Sequence, residues 1–401
     1  MKKFLILYVL LILNLFFISC EPEEEEPVDQ CNPVNTAGEI IHTRSLGSID
    51  TEQVGLYLDL FGAPPGLVLN YSVDAYKIVY KSRNNEGDLV TASGVLFIPA
   101  NLDTPPLLSI QHGTEFHRDQ VGSVSPLYAF DGLISAMAGY MVFEADYLGL
   151  GESDGIHPYL HAQLSANAVI DGIRAARRYA CQQGIMLDDE LFLAGYSEGG
   201  YATMAAHKEI EEEFVEEFQL TAVAPMAGPY DLVETTWSIL NRAEYSNPGY
   251  IAYVAAAYND VYGWDSLGEI FQEPYASRIP NLMNGEFTGG EVNDSLTTQI
   301  SALFNPTFRS AFLNGEASEF RAALEENSLL DWGPMAPVRL YHGTNDSTVF
   351  YQNSVTAFDS LLANGALDLD LVPLSGANHG TGAFPSYYLA LTWFDSLKAG
   401  R

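Results

Sequence analysis

The chain has 401 residues, 47% of them hydrophobic, enough for a substantial core in one large domain or two. Its 18 basic and 52 acidic residues give a formal charge of −34, which repels phosphate backbones, so nucleic acid is not an expected partner. The three cysteines fit no metal pattern and His-Glu-x-x-His does not occur, so neither a metal nor any other cofactor is expected.

Residues 1–19 read as a signal peptide. Met1-Lys2-Lys3 is followed by an apolar run from Phe4 to Ile18, broken only by Tyr8 and Asn14, and then by Ser19. The run is too short to favour a stable membrane span. Cys20, directly after a small residue, resembles the acceptor of a bacterial lipobox, although Ile18 fits that pattern loosely. A lipid on Cys20 would anchor an exported protein at the outer membrane or cell surface, with the periplasmic side left open. Residues 20–37 form an acidic tether. Glu21-Pro22-Glu23-Glu24-Glu25-Glu26-Pro27 is kept extended by charge repulsion and proline. Acidic residues after the cysteine resemble surface-export signals of Bacteroidetes lipoproteins, and a solvated spacer explains them equally well. Cys31 and Cys181 are candidates for a disulfide in an exported protein, but sequence does not say whether they approach.

The first part of the core, residues 38–230, opens with a helix over Thr51–Phe61 and a Pro-Gly loop. Tyr71–Ser82 and Asp88–Ile98 predict a hairpin around Asn84-Asn85-Glu86-Gly87. Apolar strands then alternate with helices: Leu107–Gln111, Tyr140–Ala145, Glu190–Ala194 and Leu220–Pro225. Ala166, Val169, Ile170, Ile173 and Ala176 carry helical spacing along Ala162–Cys181. The alternation predicts an α/β fold, a mainly parallel sheet covered by helices on both faces. Gly149-Leu150-Gly151 lacks the third glycine of a dinucleotide fingerprint, and Asp146 is better read as ordering that loop.

Gly195-Tyr196-Ser197-Glu198-Gly199 lies between the apolar run Leu191–Ala194 and a helix from Glu198 to about Phe218. A Gly-x-Ser-x-Gly at such a junction is a nucleophile elbow. Serine needs a base, and the base needs an orienting carboxylate. Three histidines follow Ser197. His207 sits on the next helix and is expected to face solvent or a neighbouring helix. His342 ends the run Pro337–Tyr341 and reads as strand-end structure. His379 falls in a loop after the run Leu369–Leu374, where a base belongs, and Asp346 falls in the loop between these two runs. The oxyanion donors expected are the backbone amide of Glu198 and one from His112-Gly113-Thr114, with Thr114 or Gly113 as the residue. Regular alternation stops at residue 231. Residues 231–332 are rich in aromatics, among them Trp237 and Trp264, and suit a helical cap with an apolar acyl pocket. Residues 333–401 complete the core.

These motifs together resemble the α/β-hydrolases, and within them the secretory lipase family that includes a fungal lipase A. The resemblance runs from about Tyr76 to the C-terminus. It is carried by Ala92–Pro99, Glu144-Ala145-Asp146-Tyr147-Leu148-Gly149-Leu150-Gly151, His157-Pro158-Tyr159, Val169–Ala176 and the elbow, where Glu198 replaces a frequent Gln. It implies ester hydrolysis through Ser197, Asp346 and His379, on a small-molecule or lipid ester. A serine exopeptidase of the same superfamily is the alternative, followed by a non-catalytic surface binding protein.

Overall fold

In the computed structural model, residues 31–61 and 68–398 are described. The leader, Cys20 and the acidic run of the tether lie outside the described residues, as does the Pro-Gly loop after Phe61. Among the described residues nine strands form one sheet in the order β1-β2-β3-β5-β4-β6-β7-β8-β9. β1 (Ile40–Ile49), followed by helix α1 (Thr51–Phe61), pairs antiparallel with β2 (Val73–Arg83), and β2 pairs likewise with β3 (Leu89–Pro99). β1 was not expected from sequence. It is an exposed edge strand with two register shifts, so no alternating apolar face marks it.

β4 (Leu107–Gln111), helix α2 (Phe130–Met137), β5 (Met141–Ala145), helix α3 (Ala162–Gln183), β6 (Leu191–Tyr196), helix α4 (Glu198–Glu213) and β7 (Ala222–Met226) follow. From β5 to β9 every pairing is parallel. β4 to β7 are buried at every position, which is why each reads as a continuous apolar run. Successive residues serve opposite faces: Phe192 packs on the α2 side and Leu193 on the α3 side. α3 ends at Gly184 in the left-handed conformation, with its cap amide returned to Ala180 and Cys181. Cys181 is disulfide-bonded to Cys31, with 5.5 Å between the Cα atoms.

α4 ends at Glu213, not near Phe218. Phe214 and Phe218 turn back instead, beneath the guanidinium groups of Arg174 and Arg177. Eight helices then intervene between β7 and β8, from α5 (Leu232–Leu240) and α6 (Pro248–Val261), through α7 (Leu267–Ile270), α8 (Tyr275–Leu282), α9 (Gly289–Asp294), α10 (Ile300–Leu303) and α11 (Pro306–Leu313), to α12 (Glu319–Glu326). β8 (Val338–Gly343), α13 (Tyr351–Ala363), β9 (Leu369–Leu374) and α14 (His379–Lys398) close the sheet.

β4 lies between β5, which follows it, and β6, which α3 carries back to its other side. The loops after β4 and β6 therefore diverge. The crevice between them, at the strands' carboxyl ends, is where an open α/β sheet binds ligands.

Candidate active site

Ser197 stands at that crevice, between β6 and α4, with φ 61° and ψ −123°. This backbone conformation costs about 1–3 kcal/mol in a residue with a side chain and persists only where its surroundings over-determine it. The surroundings are tight: a Cβ on Gly199 would run into the Gln111 carbonyl of β4, and one on Gly195 into the Gly199 carbonyl. Thr203 of α4 donates to Gln111 Oε1 at 2.6 Å and fixes the helix to the end of β4. Ser197 Oγ is thus held above the sheet, 2.8 Å from His379 Nε2.

His379 is the first residue of α14 and not a loop residue. Asn378 caps that helix by accepting from the Thr381 amide at 2.9 Å, which turns a sequence that looks like a loop into a helix start. Tyr196 donates to the His379 carbonyl at 2.6 Å and packs its ring 5.1 Å from the imidazole. His379 Nδ1 lies 2.6 Å from Asp346 Oδ2. Since the carboxylate accepts, Nδ1 carries the hydrogen and Nε2 is free to accept from serine.

Asp346 Oδ1 accepts from the amides of Thr348 and Val349 at 2.9 and 3.0 Å, and Oδ2 also meets His342 Nε2 at 3.2 Å. Burial pushes this carboxyl up, but the hydrogen bonds and charge of His342 and His379 outweigh it and hold the group at about 2. The structure therefore brings Ser197, His379 and Asp346 into one hydrogen-bonded chain. It keeps His207 apart: that residue is fully buried, bonded to Glu211 at 2.8 Å and edge-on to Trp332, not facing solvent.

Glu198 opens α4, so its amide is among the unpaired ones at the helix N-terminus. Gly113 lies against the elbow, with its virtual Cβ 3.9 Å from Ser197 Cβ, and the Thr114 hydroxyl bonds Tyr159 at 2.9 Å. Beneath them Asp146 accepts from Ser93 Oγ at 2.5 Å and from the Ser123 amide at 3.2 Å, joining strand β3 to the loops after β4 and β5.

Beside Ser197 is a narrow apolar cavity walled by Tyr159, Leu232 and Ile239, Tyr250 and Val254, and Leu324. Its free volume is about 40 Å³. One water needs roughly 10–15 Å³ on that scale, so a few heavy atoms fill it. The roomier cleft, about 430 Å³ between the β2–β3 hairpin and residues 153–158, is lined by none of Ser197, His379 and Asp346. Neither Trp237 nor Trp264, one or other of which was expected to line the acyl pocket, is among its walls. The Trp237 indole donates to Leu313 at 3.4 Å, and Trp264 stacks on Tyr262 at 4.9 Å. Tyr245 and Tyr250 take that place and were not distinguished from the other aromatics in sequence.

The family model of the secretory lipases matches residues 131–401. Among solved structures, a Legionella pneumophila protein is similar with a TM-score of 0.84 at 28% identity, over 90% of this chain and 98% of that one. The rice cell wall degrading esterase LipA from Xanthomonas oryzae is similar with a TM-score of 0.78 at 32% identity, over 88% of this chain and 95% of its own. Candida antarctica lipase A in its closed state shares the fold, with a TM-score of 0.67 at 18% identity, over 90% of this chain and 83% of that one. A comparison with curated proteins gives no match.

Proposed function

The chain belongs to the secretory lipase family and is a serine ester hydrolase of the α/β-hydrolase fold, and on that premise we propose that it works through Ser197, His379 and Asp346 by way of an acyl-enzyme. The observation that carries the proposal is the unbroken hydrogen-bonded chain from Ser197 Oγ through the His379 ring to Asp346.

His379 Nε2 takes the Ser197 proton as Oγ attacks the ester carbonyl. The tetrahedral oxyanion is met by the amides of Glu198 and Thr114. His379 returns the proton to the leaving alcohol, and water repeats the sequence to release the acid. Asp346 keeps the ring in its Nδ1–H form and balances the imidazolium. The narrow cavity beside Ser197 supports short acyl groups as the preferred acids. The Xanthomonas oryzae relative is a cell wall degrading esterase, which supports acyl groups carried on carbohydrate polymers as one class to assay. We further propose export by residues 1–19 and anchoring by a lipid on Cys20 at the outer membrane or surface.

The test is covalent. An aryl phosphonate ester should label purified protein at Ser197 in step with loss of ester turnover. Ser197→Ala should be folded, unlabelled and inactive. Turnover at the wild-type rate in that variant would end the assignment. Faster cleavage of amides than of matched esters would favour an exopeptidase.

A further inference from the structure

Behind the elbow lies a second histidine–carboxylate contact that the reaction does not use. Glu198 Oε1 is 2.6 Å from His157 Nε2, and the two side chains are 1% and 2% exposed. His157 Nδ1 is 2.8 Å from the Leu148 carbonyl. A carbonyl only accepts, so Nδ1 carries a hydrogen. The short Nε2–Oε1 contact then holds one proton, on nitrogen or on oxygen. Either way the hydrogen bond ties the Glu198 side chain to a ring that is fixed at its other nitrogen. The His157 backbone cannot retreat, because Gly149 packs directly on it, close enough that a Cβ would collide.

The contact continues to the second loop. His157 stacks on Tyr147, with centroids 5.6 Å apart and planes 14° apart. Tyr147 donates to the His112 carbonyl at 3.0 Å. The His112 ring packs 4.3 Å from that of Tyr147 and bonds the Gly113 carbonyl through Nδ1 at 2.7 Å, and that carbonyl shares its rigid peptide plane with the Thr114 amide, so holding one orients the other. His157 also meets the edge of Tyr159, which bonds the Thr114 hydroxyl. One buried brace thus touches both strands of chain that supply the proposed oxyanion donors.

We infer that Glu198, His157 and Tyr147 are positioning residues that set the two oxyanion donors against each other, with the Glu198–His157 hydrogen bond as the element that fixes the first. The inference rests on the catalytic reading above. Oxyanion donors act only in the transition state, so a fault in their placement lowers kcat and leaves KM alone.

The experiment compares kcat and KM for a soluble short-chain ester in Glu198→Met, Glu198→Gln and Tyr147→Phe, with phosphonate labelling to count competent sites. Methionine fills the space without a strong hydrogen bond, and should lower kcat about 10–100-fold, the scale of a misplacement near 1 Å. Glutamine can donate to a neutral His157 Nε2, and should recover most of that loss. Tyr147→Phe should lower kcat about tenfold by freeing the His112 carbonyl, with KM nearly unchanged. Equal kcat in the methionine and glutamine variants would reduce Glu198 to packing and overturn the inference. So would losses confined to KM. If Glu198→Met does not fold, wild-type kcat in Tyr147→Phe still overturns it. Failure of the catalytic reading itself looks different, since Ser197→Ala would then keep its turnover, and the inference would fall with it.

Discussion

His342 donates to the same oxygen of Asp346 that accepts from His379, at 3.2 Å against 2.6 Å. Its Nε2–H is shared with the Val349 carbonyl at 3.0 Å, while Ser354 occupies Nδ1 at 2.7 Å. A residue that reads as the end of a strand therefore helps to hold the Asp346 carboxylate.

The Asp346 carboxyl sits at about 2 in the folded protein, below its ordinary 3.8. Folding thus favours the ionised form. The stabilisation is complete above the ordinary value and is lost as pH falls through about 2. His342→Gln should destabilise the protein by about 1.5–3 kcal/mol above pH 4, the range for a hydrogen bond to a charged group. That deficit should shrink toward pH 2. Urea unfolding of both proteins across this range checks it, and a deficit independent of pH would contradict it.

His379→Ala and Asp346→Asn should each lower kcat by several orders of magnitude, and the double variant should be scarcely worse than His379→Ala. Groups that act as one unit lose most of their effect when any is removed. Multiplicative losses, measured by steady-state kinetics, would mean that one of the two acts elsewhere.

The cavity predicts a preference for short acyl groups. Ile239→Ala and Tyr250→Ala enlarge its wall and should raise kcat/KM for longer chains relative to short ones. Each methylene accommodated is worth roughly 1–3 kcal/mol. Trp264→Ala should leave the ratio unchanged, because that ring stacks on Tyr262 outside the cavity. A chain-length series of p-nitrophenyl esters decides. A response to Trp264→Ala and none to Ile239→Ala would reverse the assignment.

Cys20→Ser should abolish acylation and release the protein from membranes on fractionation. Intact-mass measurement of the mature chain checks the lipid directly, and an unchanged acyl mass in the variant would refute the anchor.

Much of the sheet was legible because its strands are buried on both faces. Leu107–Gln111 was bounded to the residue for that reason; Leu369–Leu374, an edge strand with no fully buried position, was marked by its leucines and valine instead, whereas β1, wet on most positions, left no pattern. Ser197, Asp346 and His379 were legible because each follows an apolar run. The helical setting of His379 was not, since Ala377-Asn378-His379-Gly380 reads locally as a turn and the helix carries Pro385 within it. The contacts of His157, His342 and Tyr250 were hidden because they join loops and helices distant in the chain. The proximity of two histidines four and thirty-three residues from one aspartate is set by strand pairing, which sequence spacing does not encode.

The Cys31–Cys181 bond has a mechanical consequence. Any tension arriving through the first thirty residues meets the fold at Cys31, nine residues before β1 begins. There it passes through covalent sulfur into α3, a helix packed against α4 and the sheet. The edge strand, whose hydrogen bonds would otherwise open one after another like a zip, is left out of the load path. A tethered enzyme tugged by flow or by a bound polymer would strain its central helix first, keeping the exposed margin of the sheet slack.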